Sequence, residues 1–234
     1  MAEWKAFKLW EYDTACFILG GGKSLLDEDL TPLHDKHKKR VIGVNDAFRL
    51  GNWVDVCYFG DSRWFDWNKN SLAKFSGLKV CCCPSISPEL RKKAHLKVLR
   101  RGKHLGIDTR RDFISWNKSS GASAINLAYH FGARKIILIG FDMTQKEGNI
   151  NNWHNQHIVP NDPNNPPYER HLTAFSEIKK DCDSLGIEII NTSITEFQME
   201  KSFVNPSLGN AFLITSPFSQ NNNSSVLIIN SLGQ

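Results

Sequence analysis

No stretch of this 234-residue sequence is apolar over anything near the ~20 residues that a membrane-crossing helix needs. The N-terminal run MAEWKAFKLWEYD meets a charge every two or three residues, which argues against a signal peptide or an anchor. Cys-x-x-Cys pairs are missing: the cysteines at 16, 57, 81, 82, 83 and 182 offer no spaced ligand set, so zinc is not expected. Unpaired thiols fit a reducing compartment, and the expectation is a soluble, cytoplasmic protein. Asp-x-Asp occurs only at 181 to 183 and within DEDL, both in helical sequence, which disfavours a transferase that holds a metal on such a motif.

What is present is a regular alternation of short apolar runs with helical segments. The runs ACFILG (15 to 20), RVIGVN (40 to 45), VDVCYFG (54 to 60), LKVCCC (78 to 83), KIILIG (135 to 140) and IEIIN (187 to 191) are continuously apolar, as strands covered on both faces are. Helices are expected at about 24 to 31, 62 to 73, 88 to 100, 120 to 132 and 168 to 185. The order βαβ, repeated, predicts an α/β fold: a Rossmann-like, doubly wound, mostly parallel sheet in a single nucleotide-binding domain over residues 1 to 205. Residues 143 to 168, rich in Asn and Pro and without periodicity, read as an inserted lid loop. Residues 206 to 234 form a C-terminal extension with two apolar runs, consistent with a hairpin, a subunit contact in a homo-oligomer or a disordered tail.

In such sheets ligands gather at the carboxyl ends of the strands. Small or polar residues stand at four of those ends: Gly20, Gly21, Gly22, Lys23 and Ser24; Asn45 and Asp46; Gly60 and Asp61; Gly140 and Asp142. One shared cleft explains them together. The glycine stretch GGGKS lacks the upstream glycine of a P-loop, and Leu25 stands where the dinucleotide fingerprint requires glycine. What survives is a strand ending in glycines whose N–H groups, with the start of the next helix, can face a phosphate; the alternative is a plain strand-to-helix turn. Ser119, Ser120 and Gly121 open the clearest helix, where hydroxyls and a close backbone approach suit a ribose, a phosphate or a carboxylate, or only a cap.

The motifs ILGGGKSL, VNDAF and SSGASAINLAYHFGARKIILIGFD together resemble those of the bacterial lipooligosaccharide sialyltransferases. They are similar also to the motility-accessory-factor glycosyltransferases and to the archaeal 6-hydroxymethylpterin diphosphokinase-like proteins. The resemblance covers roughly residues 15 to 195 as motifs rather than continuous identity. It implies that Gly20, Gly22 and Ser24 line a nucleotide phosphate or ribose site beside Asn45. It further implies that Ser119, Ser120 and Gly121 hold a cytidine nucleotide or donor sugar, with Asp142 below, and that His171 is the general base on the acceptor hydroxyl. Lys23 stands where relatives keep proline, Gly21 where the sialyltransferases have asparagine, and Met143 where a tyrosine is usual. The lid tyrosines that hold the donor phosphate in those families have at most one counterpart here, Tyr168.

The expected activity is therefore that of a metal-independent glycosyltransferase with no required cofactor, moving a sugar from a nucleotide-sugar donor, preferably CMP-linked, to the hydroxyl of a glycan or other acceptor. Such chemistry needs a base, for which His171, His154 and His157 are candidates, and a cation beside the leaving phosphate, for which Arg170 and Lys23 are candidates. A Mg²⁺-dependent diphosphotransferase using Asp61 and Asp142 is the second reading. The third is a non-catalytic nucleotide- or nucleic-acid-binding module. It would use the basic segment 91 to 104, with seven Lys or Arg and no acid, and aromatics Trp64, Phe65 and Trp67. The same segment suits an anionic membrane surface as well as a solvated helix face.

Overall fold

The structure, a computed structural model, describes residues 4–10, 15–35, 40–143, 152–154 and 168–193, and the backbone of 212–215 and 225–228. In chain order its strands are β1 (Ala15–Leu19), β2 (Arg40–Val44), β3 (Val56–Phe59), β4 (Leu78–Cys81), β5 (Leu96–Val98), β6 (Arg100–Arg101), β7 (Phe113–Ile114), β8 (Lys135–Ile139), β9 (Glu188–Asn191), β10 (Phe212–Thr215) and β11 (Ser225–Ile228). The α-helices are α1 (Ser62–Leu72), α2 (Pro88–Lys93), α3 (Ser120–His130), α4 (Tyr168–Leu172) and α5 (Phe175–Leu185). Nine strands form one sheet in the order β10-β11-β9-β8-β1-β2-β3-β4-β5. The seven from β9 to β5 are all parallel, and the last two strands form an antiparallel hairpin, Phe212 opposite Ile228, that joins the β9 edge.

This is the expected α/β, Rossmann-like architecture, and its physical basis is the period-2 split of the apolar runs. Cys16, Ile18, Ile42, Val44, Val56 and Tyr58 pack to one face with α3 and α5. Phe17, Leu19, Val41, Cys57 and Phe59 pack to the other with Trp64, Phe65 and Leu72 of α1. Both faces are covered, so every β3 residue is buried and a continuous apolar run is the right signature. All six cysteines are buried free thiols within this packing.

Three expected helices come out differently. Residues 24 to 31 make two single 3₁₀ turns, Lys23–Leu26 and Thr31–His34, each with only one buried residue to anchor it. The basic segment is not a helix through residue 100: α2 stops at Lys93, His95 takes a left-handed φ of 54°, and Leu96–Val98 adds the edge strand β5. Leu96 and Leu99 are buried there, while Lys97 is exposed. Helix 168 to 185 breaks into α4 and α5, the second ending at Gly186 in the left-handed conformation that a helix C-terminus favours.

Candidate functional site

The chain builds the sheet outward from β1 to β5, then returns to the opposite side of β1 with β8 and β9. The strand order therefore reverses between β1 and β8, the place where a doubly wound sheet opens a crevice at its carboxyl edge. The four strand ends rich in small and polar residues belong to β8, β1, β2 and β3, which are consecutive neighbours. Above them lies an open cleft of about 550 Å³, lined among others by Gly20, Gly21, Gly22, Asn45, Gly60, Asp61, Ser119, Ser120, Gly121, Gly140, Asp142, Arg170 and His171.

The glycine turn is shaped by what it packs against. None of its three glycines has a left-handed backbone. A β-carbon on Gly20 would stand 2.4 Å from the Gly140 carbonyl oxygen, and one on Gly22 would stand 2.6 Å from Asp142 and from the same carbonyl. The N–H of Gly20 donates to Ile139 O and that of Gly22 to Gly140 O, each at 2.8 Å. Ser24 donates its N–H to Asp142 Oδ2 at 2.8 Å and its hydroxyl to Asp142 Oδ1. The hydroxyl of Ser193 bonds Ser24 Oγ at 3.1 Å while accepting the Phe141 N–H at 3.0 Å. These bonds clamp β1, β8 and β9 together at their carboxyl ends. Of the three glycine N–H groups expected to face a phosphate, those of Gly20 and Gly22 are spent on the clamp, and the following 3₁₀ turn has no long helix behind it. Gly20 to Gly22 form a wall of the cleft rather than a phosphate cradle, while Lys23 and Ser24 do not line it.

Other polar groups of the cleft come from the end of β2 and the start of α3. Asn45 takes a left-handed φ of 52°, and its Oδ1 is buried without a hydrogen-bond partner. A buried acceptor left in this state is one that a ligand N–H or O–H can satisfy. Gly121 starts α3 against Phe141, where a β-carbon would come within 2.8 Å of the ring. Before it, Asn117 and Lys118 are consecutively left-handed, at φ 51° and 53°, and turn the chain so that Lys118, Ser119 and Ser120 border the cleft. Ser120 Oγ accepts the Gly60 N–H at 3.1 Å. Arg101 and Trp116, neither singled out from the sequence, line the same wall, with the guanidinium 3.9 Å above the indole. Arg101 sits within a run of like charges whose periodicity gives no sign of a cleft.

His171 of α4 borders the cleft, and its burial, followed by the neighbouring Arg170 charge, pulls its pKa down to about 4. It is neutral at pH 7 and able to accept a proton. His154 is elsewhere: its side chain is 5% exposed, with Nε2 3.9 Å from Asp46 Oδ2. Asp46, 6% exposed, also accepts from Trp64 Nε1 at 2.7 Å and Arg49 Nε at 3.0 Å. These contacts hold the Asp46 carboxylate and His154 together, and neither residue is among those lining the cleft. His157, and most of the lid at 143 to 168, fall outside the described residues; of Tyr168 only the helical backbone is described.

The paired-carboxylate site for Mg²⁺ is not assembled. Asp61 follows β3 and Asp142 follows β8, with β1 and β2 between them. Three strand spacings put them about 14 Å apart, beyond the reach of one ion. Asp61 caps α1 and pairs with Arg63 at 2.8 Å, while Asp142 serves Ser24. Trp64 and Phe65 are core residues rather than a stacking surface. The basic segment is divided: Arg100 pairs with Asp112, Lys103 with Asp181 at 3.2 Å, and Arg91 donates to the Ile86 and Pro84 carbonyls.

No family model and no curated protein matches the chain. Three solved structures resemble it. The MAf glycosyltransferase from Magnetospirillum magneticum AMB-1 aligns with a TM-score of 0.48 and 13% identity over 63% of this chain, which spans only 26% of that protein. The sialyltransferase CstII from Campylobacter jejuni, in complex with the substrate analogue cytidine-5'-monophosphate, aligns with a TM-score of 0.48 and 16% identity, covering 95% of this chain and 96% of that one. The same enzyme with CMP-3FNeuAc gives 0.44 and 17%, covering 93% and 95%. These neighbours belong to the sialyltransferases and the motility-accessory-factor glycosyltransferases, two of the families whose motifs the sequence resembles.

Proposed function

We propose that the protein is a glycosyltransferase that moves a sugar from a nucleotide-linked donor to an acceptor hydroxyl, with His171 as the base. The observation that carries this reading is the position of His171. A neutral imidazole borders the cleft formed by the β8, β1, β2 and β3 ends, together with Asn45, Ser120 and several cations.

In this reading the donor lies over the strand ends, with the Asn45 amide and the Ser119 and Ser120 hydroxyls toward its nucleotide. His171 accepts the acceptor proton as the acceptor oxygen attacks the anomeric carbon, and the departing phosphate is held by positive charge in the same cleft. A pKa near 4 makes a weak base by itself. A bound phosphate brings negative charge beside the imidazole and raises its affinity for the proton, so the base strengthens when the donor is present. A CMP-linked donor is preferred on the motif resemblance, and the Asp61 and Asp142 carboxylates stand at the ends of strands separated by two others.

Thermal-shift measurements with CMP, UDP, GDP and ATP, with and without Mg²⁺, test the proposal. Stabilisation by a cytidine or uridine nucleotide without metal is the expected result. Stabilisation by ATP alone, and only with Mg²⁺, overturns it.

A further inference from the structure

We propose that Arg101, backed by Trp116, is the residue that holds the donor phosphate in this cleft, a step that rests on the nucleotide reading above. Relatives by motif use lid tyrosines for that task, and Lys23, the substitute that the sequence suggests, does not line the cleft.

Three contacts set the guanidinium in place. Nε donates to Cys82 O at 3.0 Å, Nη2 donates to Gly60 O at 2.9 Å, and the guanidinium carbon stands 3.9 Å from the Trp116 ring centroid. Both backbone acceptors are neutral; the Asp61 carboxylate, paired with Arg63, acts on the guanidinium through space without forming an ion pair with it. Among the described residues no carboxylate comes within ion-pair distance of it, whereas Arg63 is paired with Asp61 and Arg100 with Asp112. The guanidinium also stands within hydrogen-bond reach of the Cys82 thiol, and its remaining N–H groups are left for a ligand.

The fork does not act by itself. Gly60 accepts from Arg101 through its carbonyl and donates through its N–H to Ser120 Oγ. Since that oxygen is accepting, the Ser120 hydroxyl proton is free to donate into the cleft. One residue thus joins a guanidinium to a hydroxyl as neighbouring donors on a single wall. A β-carbon at Gly60 would lie 3.1 Å from Ser120 Oγ and 3.2 Å from the Trp116 ring, so glycine there lets both side chains keep their places. A planar, permanently charged fork beside a hydroxyl suits the oxygens of a phosphate. The indole holds the fork flat and excludes water from one of its faces.

The test compares the dissociation constants of CMP, cytidine and inorganic pyrophosphate for the wild-type chain and for Arg101→Gln and Arg101→Lys, with melting curves confirming the fold of each. Losing a charge-assisted contact weakens CMP binding about 10- to 100-fold in Arg101→Gln. Cytidine binding changes less than about threefold, since no phosphate is involved. Arg101→Lys, which keeps the charge but loses the fork, falls between. If Arg101→Gln does not fold, the CMP-to-cytidine ratio of Arg101→Lys decides the matter. A variant that keeps the wild-type ratio overturns the assignment while leaving the nucleotide cleft intact. If wild-type protein binds neither CMP nor cytidine yet binds pyrophosphate through Arg101, the phosphate grip stands and the cytidine reading falls. If it binds none of the three, both are refuted.

Discussion

Asp142 accepts two hydrogen bonds from Ser24, one from its N–H at 2.8 Å and one from its hydroxyl, joining the ends of β1 and β8 across 118 residues of chain. Asp142 is 6% exposed, so the carboxylate depends on these donors in place of water. Ser24→Ala strands one carboxylate oxygen and deprives Ser193 of its acceptor. It is expected to cost about 1–3 kcal/mol, seen as a lower urea midpoint at unchanged slope. An unchanged midpoint removes the clamp from the account of the cleft.

The glycines differ in what they can tolerate. Gly20→Ala and Gly22→Ala push a methyl into backbone or carboxylate at 2.4 and 2.6 Å, and each is expected to destabilise by about 1–3 kcal/mol. At Gly21 the nearest atom is Asn152 Oδ1 at 3.0 Å, the movable end of a side chain, so Gly21→Ala costs clearly less. Equal losses at all three positions would contradict a turn shaped by close approach to β8.

Burial and Arg170 lower the His171 pKa to about 4, so the base form persists well into the acid range. In the free enzyme, kcat/KM is expected to hold steady down to about pH 5 and to fall as pH drops through about 4. The same shift acts on stability: the unfolded chain takes up the proton first, so this group weakens the fold as pH falls from about 6.5 toward about 4. Arg170→Gln removes a repelling charge and moves the acid limb upward. NMR titration of the His171 ring gives the direct reading, and a midpoint at 6.5 or above refutes the prediction.

His171→Ala is expected to lower turnover by about 10²- to 10⁴-fold, the usual contribution of a general base, with nucleotide affinity nearly unchanged. Parallel loss of both would make His171 a binding residue. His154→Ala should be felt in stability instead, because its ring lies buried against Asp46.

EDTA is expected to leave turnover unchanged, since Asp61 and Asp142 follow strands separated by two others and each serves a local partner. Restoration of an EDTA-abolished rate by Mg²⁺ would contradict the mechanism proposed above.

Much of the fold is readable in the chain because strands buried on both faces must be continuously apolar, as Cys16 to Leu19 and Val56 to Phe59 are. The edge strand β5 is not readable: Leu96, Lys97 and Val98 are too few to set a period, and the surrounding lysines and arginines suit a helix equally well. Candidate-site residues at strand ends were legible from their position alone, since carboxyl ends of parallel strands converge. Arg101 was hidden in a charge run, and its role depends on the carbonyls of Cys82 and Gly60 lying beside it. Conversely, His154 looks like lid chemistry in an Asn-rich segment, and only its burial against Asp46 places it outside the cleft.

The sequence by itself determined the parallel sheet and the convergence of four small-residue strand ends, because both follow from local patterns of burial and turn chemistry. Only the tertiary structure decided which polar groups remain free to meet a ligand. It turned the N–H groups of Gly20 and Gly22 onto the end of β8 and Asp142 onto Ser24, and it left the Arg101 fork without an ion-paired carboxylate among the described residues. Hydrogen bonds between residues far apart in the chain are settled by packing, and no spacing within the sequence records them.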